Sequence, residues 1–251
     1  MKMAPADHVE HSFSRSFQTY HNCARQQAQV ADHLACRLSV HTPNRRFKNG
    51  LEIGCGTGHL TRALLRHFSF DTLSLNELVQ DARGVADDAG AAFLPGDIRE
   101  IPWPDHPDLI TAASVIQWME NPGDLLRHAT EALAPGGWLA VSGFGAKQYQ
   151  ELPQADGSQR APGLCSPQDL AECSDGLEIL ECQEDVRQIW FDTPLQVLRH
   201  LRQTGVNAGK SRHWTRRDLN QFCDRYDQRY AVQNRVPLTY HPTWIIARKP
   251  G

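Results

Sequence analysis

The sequence predicts an α/β fold with a mostly parallel sheet. From Gly50 to Gly143, short apolar runs alternate with segments of helical periodicity, which is typical of βαβ units with right-handed crossovers. The first apolar run ends in a turn that has glycine at every second position, Gly54, Gly56 and Gly58. The run Leu109–Val115 is strongly apolar, which favours a central strand buried on both faces.

The same patterns give the order of the elements. We predict strands over Gly50–Ile53, Thr72–Asn76, Ala91–Pro95, Leu109–Val115 and Trp138–Gly143, a sixth strand within Leu177–Ile189, and a last strand over Leu238–Ala247. The expected helices are Phe13–Leu38, His59–His67, Gln80–Ala89, Pro122–Leu133, Ser166–Cys173, Pro194–Thr204 and Thr215–Val232. Pro43–Asn49 and Ala146–Gly163 are expected to be loops, and Pro242 limits the first half of the last strand to an edge or a bulge.

Composition narrows the class of protein. The 251 residues are 40% hydrophobic and 22% charged, as in a globular protein. A net charge of -3 gives no general attraction to nucleic acid. The seven cysteines are odd in number and lack C-x-x-C spacing, which argues against a disulfide framework or a zinc site. No apolar run is long enough for a signal peptide or a membrane span, and reduced cysteines are typical of the cytosol. We therefore expect a cytoplasmic protein that binds no membrane, and we further expect a monomer that binds neither metal nor nucleic acid.

The glycine turn is the candidate cofactor site. Glycines without Cβ atoms let the backbone approach a ligand closely, and the start of the following helix offers free N–H groups. His59 stands where a dinucleotide-binding turn would have its third glycine, and no Gly-Lys-Ser/Thr follows as in a phosphate-binding loop. An ordinary strand-to-helix turn is the alternative. Glu52, two residues before Gly54, favours a ligand site.

The pattern Glu52-x-Gly54-x-Gly56-x-Gly58 resembles motif I of the class I S-adenosylmethionine-dependent methyltransferases. That resemblance implies a Rossmann-like, seven-stranded and mostly parallel sheet with one antiparallel strand. It also implies that S-adenosylmethionine is the cosubstrate, with its methionine and ribose parts against the turn. We expect a single domain over residues 1–251, with a capping helix at 13–38 and a helical lid at about 191–235.

Further cofactor contacts are expected where other strands end. Glu77 follows the second strand and is placed to accept hydrogen bonds from ribose hydroxyls; a surface glutamate is the alternative. In this superfamily an Asp at the position of Asp97 accepts a hydrogen bond from the adenine amino group, and the backbone of the next residue, Ile98, contacts the adenine ring. The alternative is that Asp97 only stabilises its own turn. Ser114 and Gln117 end the fourth strand, at the crevice.

The first predicted helix and a basic segment are candidates for binding the acceptor. Tyr20 and Gln27 are seven residues apart, about two helical turns, and so share a face that could lie over the pocket; a packing face is the alternative. Trp118 could line the pocket or belong to the core. The segment between Asp192 and Asp218 contains basic residues and no acidic residue. It is either a binding surface or a solvated face.

Several spaced segments resemble the malonyl-[acyl-carrier protein] O-methyltransferases of biotin biosynthesis, over about residues 10 to 249. They are Phe13-Ser-Arg15 with Tyr20 and Gln27, Gln117-Trp118 with Asn121, Thr204-Gly-Val-Asn207, and Leu238-Thr-Tyr-His-Pro242. The resemblance implies methyl transfer to the free carboxylate of malonyl-[acyl-carrier protein], whose methyl ester is then elongated toward pimeloyl. Glu77 is a departure from the superfamily pattern, since many members have Asp there and Glu is one methylene longer.

Several residues are candidates for binding the methyl acceptor and its carrier protein. The substrate-positioning candidates are Tyr20, Arg15, Trp118 and His241. The candidates for docking an acidic carrier protein are Arg199, Arg202, Lys210, Arg212, Arg216 and Arg217. A malonyl carboxylate is ionised near neutral pH and needs no general base. A methyltransferase for another small acid, one for RNA or DNA, and a non-catalytic cofactor-binding protein are the competing interpretations; the net charge and the incomplete Asn121-Pro122-Gly123 motif argue against nucleic acid.

Overall fold

A computed structural model describes residues 25–156, 160–203 and 215–251. The chain divides into two compact units. The sheet unit comprises Arg25–Gly145, Ala161–Glu184 and Pro242–Gly251. The smaller unit includes Ala146–Arg160 and Asp185–His241. The single-domain organisation, with a lid at about 191–235, stays a prediction.

The sheet unit contains the seven-stranded sheet that the sequence predicts. Its strands are β1 (Arg46–Ile53), β2 (Ser69–Glu77), β3 (Ala92–Pro95), β4 (Leu109–Ala113), β5 (Trp138–Phe144), β6 (Glu178–Glu184) and β9 (Pro242–Arg248). The order across the sheet is β3-β2-β1-β4-β5-β9-β6. Because β9 alone runs against both of its neighbours, the expectation of one antiparallel strand is confirmed.

Helices cover both faces of this sheet. They are α1 (Arg25–His41), α2 (His59–His67), α3 (Arg83–Ala89), α4 (Pro122–Ala132) and α6 (Pro167–Glu172), with short 3-10 turns at Gln80–Ala82 and Ile116–Trp118. Residues of α1 and α2 pack on one face with the β4 residue Leu109. Residues of α4 and α6 pack on the other face with the β4 residue Ile110. The sheet is therefore the middle of three layers.

The first strand is longer than expected. We predicted a basic loop over Pro43–Asn49, but Arg46–Asn49 belongs to β1 and pairs with β2. Phe47 is only 4% exposed, whereas its neighbours Arg46 and Lys48 point outward. That alternation is the period of a strand. The sequence did not indicate this part of the strand, because basic residues surround its single phenylalanine.

The described part of the smaller unit contains a two-stranded antiparallel sheet and three helices. Its elements are β7 (Arg187–Phe191), β8 (Val236–Tyr240), α5 (Leu152–Asp156), α7 (Pro194–Gln203) and α8 (Arg216–Tyr230). The predicted sixth strand exists as β6 but is shorter than the range Leu177–Ile189, since the chain leaves the large sheet at Glu184 and starts β7 at Arg187. The predicted last strand is likewise two strands, which separate at His241. The loop predicted over Ala146–Gly163 contains α5.

In the sheet unit, a buried carboxylate joins α1 to the edge strand β6. The side chain of Glu181 accepts hydrogen bonds from Arg37 Nε at 2.9 Å, His41 Nε2 at 2.8 Å and Trp244 Nε1 at 2.7 Å. Burial alone would raise the pKa of this carboxyl group, but the hydrogen bonds from Arg37, His41 and Trp244 outweigh burial and lower its pKa to about 2. An ionised Glu181 therefore holds helix, edge strand and β9 together.

We predict that Glu181→Gln lowers the free energy of unfolding at pH 7 by about 2 kcal/mol, because the neutral amide weakens three bonds to a buried acceptor. The native pKa is depressed, so the difference from wild type is present above the unfolded pKa of about 4 and is lost as the pH falls toward 2. Urea unfolding at several pH values measures it. Glu178→Gln, an exposed change on the same strand, is the control; an equal loss in both variants would contradict the prediction.

Candidate functional site

The glycine turn joins β1 to α2 as predicted, and all three glycines adopt conformations with positive φ. The φ angles are 67° at Gly54, 50° at Gly56 and 79° at Gly58, in the left-handed region that favours glycine. A Cβ on Gly54 would lie 2.4 Å from the side chain of Val115, whereas no described atom lies within 4 Å of the corresponding position on Gly56. Open space therefore faces the middle of the turn, where a ligand can approach the backbone.

Glu77, at the carboxyl end of β2, holds the turn in place. Its carboxylate accepts hydrogen bonds from the backbone N–H groups of Gly56 at 2.9 Å and Leu78 at 2.8 Å. Burial raises the pKa of this carboxyl group, against the effect of the backbone N–H donors. The Cys55 N–H also donates to Asn76 O at 2.9 Å. One side chain and one backbone hydrogen bond thus fix the two neighbouring strand ends to each other.

Glu52 is a second buried carboxylate at the same end of β1. It is 1% exposed, and neither of its oxygens has a hydrogen-bond partner among the described residues. Burial raises the pKa of Glu52 to about 7; Thr61 and Arg62 oppose the shift, and the nearby charge of Glu77 adds to it. Thr61 influences the pKa of Glu52, but it forms no hydrogen bond of good geometry with the carboxylate. Such a group is well suited to bind a cation or a hydrogen-bond donor.

Further buried hydroxyl groups lie on the same face of the sheet as Glu52. Thr111 on β4 is directly opposite Glu52 in the strand register. Ser142 on β5 pairs with Ala113, two residues beyond Thr111, and side chains two apart share a face. Within the described chain, the hydroxyl oxygens of Thr61, Thr111 and Ser142 are buried without partners. The sequence analysis missed these residues, since only the register of three strands identifies them.

The end of β4 places Ser114 and Gln117 together. Ser114 has a φ angle of 59°, and its carbonyl oxygen accepts from Gln117 Nε2 at 2.6 Å. In the part of the chain that the structure covers, Ser114 Oγ and Gln117 Oε1 are buried and unpartnered. Trp118 follows and is half-buried. Two polar atoms at a central strand's carboxyl end are thus available to a ligand.

Asp97 and Ile98 follow β3, which is aligned with β2 by Asn76. The Asn76 side-chain amide donates to the carbonyl oxygens of Leu94 at 3.0 Å and Gly96 at 2.9 Å. The Asp97 carboxylate accepts from the N–H of Arg99 at 3.0 Å and pairs with the Arg99 guanidinium. Hydrogen bonding by Arg99 lowers the pKa of Asp97. The turn role that we weighed for Asp97 is therefore present, and its adenine contact stays a prediction.

The remaining candidates lie on other elements or outside the described residues. Gln27 is on α1 in the sheet unit, with a buried Oε1 that has no partner among the residues described. Ile98 has a buried side chain in the core. Arg15, Tyr20, Lys210 and Arg212 lie outside the described residues. His241, Arg199, Arg202, Arg216 and Arg217 belong to the smaller unit.

No group of three or more His, Cys, Asp or Glu side chains in the described ranges is arranged to hold a metal ion. Within the same ranges, no helix has the length and apolar character required to cross a bilayer.

Comparison with known proteins identifies the family. Residues 24–229 match the family model described as "Methyltransferase domain". The chain is 35% identical over 255 residues to the malonyl-[acyl-carrier protein] O-methyltransferase of Bacteroides thetaiotaomicron, covering 96% of this chain and 97% of that protein. The chain belongs to the malonyl-[acyl-carrier protein] O-methyltransferase family.

A further relative and a solved structure are consistent with this assignment. The chain is 36% identical over 246 residues to the protein of the same name from Bacteroides fragilis; the match covers 96% of this chain and 50% of that longer protein, so the chain spans about half its length. The N-methyltransferase NodS of Bradyrhizobium japonicum, solved with S-adenosyl-L-homocysteine, has a TM-score of 0.52 at 16% identity, covering 93% of this chain and 99% of NodS. At that identity the likeness concerns the fold, which is the predicted methyltransferase fold.

We predict that the free energy of unfolding of the ligand-free Glu52→Gln variant, relative to that of the wild type, is larger at alkaline pH than at acidic pH. The native pKa of Glu52 is raised to about 7, so its contribution to stability is complete below the unfolded pKa and is lost as the pH rises through 7. The expected difference between pH 5 and pH 8 is about 3 kcal/mol in favour of the variant.

Urea unfolding of both proteins at the two pH values measures this difference. Glu131→Gln, which removes an exposed carboxylate on α4, is the control and should show little dependence on pH. A difference between wild type and Glu52→Gln that stays constant across the pH range would show that Glu52 is not held in a desolvated state.

Proposed function

We propose that the protein transfers the methyl group of S-adenosylmethionine to the free carboxylate of malonyl-[acyl-carrier protein]. The observation that carries the proposal is the glycine turn, with open space at Gly56 and the buried carboxylates of Glu52 and Glu77 beside it. The names of the relatives that match nearly the whole chain support the acceptor. The product would be the malonyl methyl ester that primes pimeloyl synthesis for biotin.

The residues present fit S-adenosylmethionine in charge and hydrogen-bonding capacity. The methionine part carries an ammonium group, and Glu52 offers two buried oxygens that have no partner in the described structure. Gln27, Ser114 and Gln117 each contribute a buried polar oxygen of the same kind. Buried polar atoms are costly without partners, so a ligand that satisfies them binds with favourable free energy. Gly58 completes the turn.

The nucleoside part would bind along the ends of β2 and β3. Each Glu77 oxygen has two lone pairs, so the carboxylate can accept from ribose hydroxyls while it still accepts from Gly56. Asp97 would meet the adenine amino group and the Ile98 backbone the ring. Arg99 already occupies part of the Asp97 carboxylate, so adenine would share that group with Arg99.

The chemistry requires alignment and no general base. Bound S-adenosylmethionine supplies an electrophilic methyl group on a positively charged sulfur. A malonyl carboxylate is already ionised at neutral pH, and its oxygen forms the new bond to carbon as the carbon–sulfur bond breaks and the electron pair neutralises the sulfonium. The protein must hold that oxygen in line at about 3 Å and keep water out. Arg15, Tyr20, Trp118 and His241 are the residues we propose for this alignment.

An acidic carrier protein would dock on the basic residues of α7 and α8. Arg199 and Arg202 are exposed on α7, and Arg216 and Arg217 are exposed at the start of α8. The neighbouring acid, Asp218, accepts hydrogen bonds from the Thr215 N–H at 3.0 Å and the Thr215 hydroxyl at 2.8 Å in a capping box. The exposed charges at the start of α8 are therefore those of the two arginines. Complementary charge chiefly raises the association rate. We also propose that the enzyme acts in the cytoplasm, as a monomer and without metal.

We predict that Gly56→Leu abolishes binding of S-adenosylmethionine, with a loss of at least about 100-fold in affinity, because the side chain would fill the open space beside the turn. Gly176→Leu is a matched control, since Gly176 also has positive φ (87°) and no described atom within 4 Å of its Cβ position. Calorimetric titration of each variant measures the affinity. Retained binding by Gly56→Leu would remove the turn from the cofactor site.

We predict that reversing Arg216 and Arg217 to Glu raises KM for malonyl-[acyl-carrier protein] by about tenfold or more, with a smaller effect on a malonyl thioester of a small thiol. Arg225→Glu is the control, since Arg225 is exposed on the same helix but nine residues after Arg216, on its opposite side. Steady-state kinetics with the two acceptors, at low and high salt, give the comparison. Equal effects on both acceptors would contradict docking at this surface.

A further inference from the structure

Arg187 lies at one end of the two-stranded sheet of the smaller unit. It is the first residue of β7 and pairs with Tyr240, the last residue of β8. Directly opposed side chains of an antiparallel pair point to the same face of the sheet, with Cβ atoms about 5 Å apart. Arg187 and Tyr240 are therefore neighbours on one face. The helix α7 packs on this face, since its residue His200 bonds to Tyr240.

The hydroxyl group of Tyr240 belongs to a buried polar network. Tyr240 is 0% exposed, and its hydroxyl oxygen is 2.8 Å from His200 Nε2. The Tyr149 ring meets the Tyr240 ring edge-on, with 5.1 Å between the centroids. Burial raises the pKa of Tyr240 to about 12, against the opposing effects of hydrogen bonding by Tyr149 and the positive charge of Arg187. The charge of Arg187 therefore acts directly on this network.

The positive charge of Arg187 has no counterion among the described residues. No ion pair formed by those residues includes Arg187. Asp185, the acid closest to it in sequence, is exposed and belongs to none of these pairs. Burial lowers the pKa of His200, so that imidazole is neutral at pH 7 and adds no second positive charge. Arg187 is thus a single cation beside a buried, neutral network.

One nitrogen of the Arg187 guanidinium is both buried and unpartnered. Within the described part of the chain, Nε has no hydrogen-bond partner, although the residue as a whole is only half-buried. A solvated surface arginine has water at this N–H group, whereas a buried donor without a partner costs free energy. The uncompensated charge and the unsatisfied donor both point to an anionic group that a ligand supplies.

We propose that Arg187 binds an oxyanion of the acceptor, with Nε–H and one terminal N–H donating to two oxygens of the same group. This rests on the proposed function and adds to it a binding site within the smaller unit, to which Tyr149, His200 and Tyr240 also belong. A guanidinium presents parallel N–H groups at a spacing that matches a carboxylate or a phosphate. Such a group would supply the counterion and the missing acceptor for Nε together.

The proposed acceptor contains this chemistry twice. The malonyl group has an ionised carboxylate, and the phosphopantetheine arm that carries an acyl group on a carrier protein has a phosphate. A guanidinium binds either group through the same pair of N–H donors. The proposed ligand of Arg187 is therefore an oxyanion, and acceptors that contain one or both of the two groups separate the sources.

Two substitutions of Arg187 separate its charge from its hydrogen-bond geometry. Arg187→Met keeps most of the side-chain volume and removes the charge, whereas Arg187→Lys keeps the charge and loses the paired N–H groups. We expect Arg187→Met to raise KM about tenfold or more for acceptors that contain the bound group, and Arg187→Lys to raise it less. Binding of S-adenosylhomocysteine should be unchanged in both variants.

Steady-state kinetics with malonyl pantetheine and malonyl phosphopantetheine identify the bound group. A carboxylate at Arg187 predicts the same rise in KM for both acceptors in Arg187→Met, whereas a phosphate predicts a rise for malonyl phosphopantetheine alone. Arg225→Met is the control, since Arg225 is exposed on α8, and it should have the KM values of wild type. Unchanged KM values in Arg187→Met, or a lower kcat alone with a loss of thermal stability, would overturn the proposal.

Nitrogen NMR of the wild-type protein with labelled arginine tests the site without catalysis. The Nε–H signal of Arg187 is identified by its loss in Arg187→Lys. Malonyl pantetheine supplies only the carboxylate and phosphopantetheine only the phosphate, and each is added with S-adenosylhomocysteine, which has no methyl group to transfer. We expect one of the two to shift the signal. A shift by neither, or an equal shift by chloride at the same ionic strength, would overturn the proposal.

Failure of this site and failure of the proposed function give different results. If one of the two anions shifts the Arg187 signal and no malonyl thioester is methylated, the proposed function fails and the oxyanion site stands. If malonyl-carrier protein is methylated and neither anion shifts the signal, the proposed function stands and the oxyanion site fails.

Discussion

The hydrogen bond from the Gly56 N–H to the Glu77 carboxylate is the interaction on which the candidate site depends. It connects the turn after β1 to the end of β2, at a glycine with a positive φ angle. The bond places one buried carboxylate close to another, Glu52, and the charge of Glu77 adds to the raised pKa of Glu52. Two buried carboxyl groups thus lie close together at the edge of the sheet, where the charge of Arg62 opposes the rise in the pKa of Glu52.

Such an arrangement is unfavourable for the free protein and favourable for a positively charged ligand. Buried carboxylates without partners reduce stability, and strain or desolvation of this kind often occurs where a ligand completes the site. Glu181, also a buried glutamate of the sheet unit, shows the contrast: Arg37, His41 and Trp244 satisfy it and lower its pKa to about 2. One glutamate stabilises the fold, and the other is left available for binding.

The two sides of the proposed reaction use different physical means. Binding of the carrier protein would depend on long-range attraction by exposed arginines, which salt weakens. Alignment of the carboxylate would depend on short hydrogen bonds that hold one oxygen in line with the methyl group. The first sets how often the acceptor arrives, and the second sets how well it is oriented for transfer.

Local sequence patterns predicted those parts of the fold that local interactions determine. The helix His59–His67 was predicted with the bounds that the structure has, because glycine before it and the apolar spacing within it act over a few residues. The separation of the last strands at His241 could not be predicted, since it depends on β8 pairing with β7 rather than with β5. Thr111 and Ser142 were missed for a related reason: nothing in their own neighbourhoods distinguishes them from core residues until the strand register places them beside Glu52.

The most direct test of the account is transfer of labelled methyl from S-adenosylmethionine by the purified protein to a panel of acceptors. The panel contains malonyl-carrier protein, acetyl-carrier protein, malonyl-CoA, free diacids and tRNA. The account predicts label on malonyl-carrier protein that mild base releases as methanol, as expected of a methyl ester, and none on acetyl-carrier protein. Label on tRNA or on a free diacid in preference to malonyl-carrier protein would contradict it.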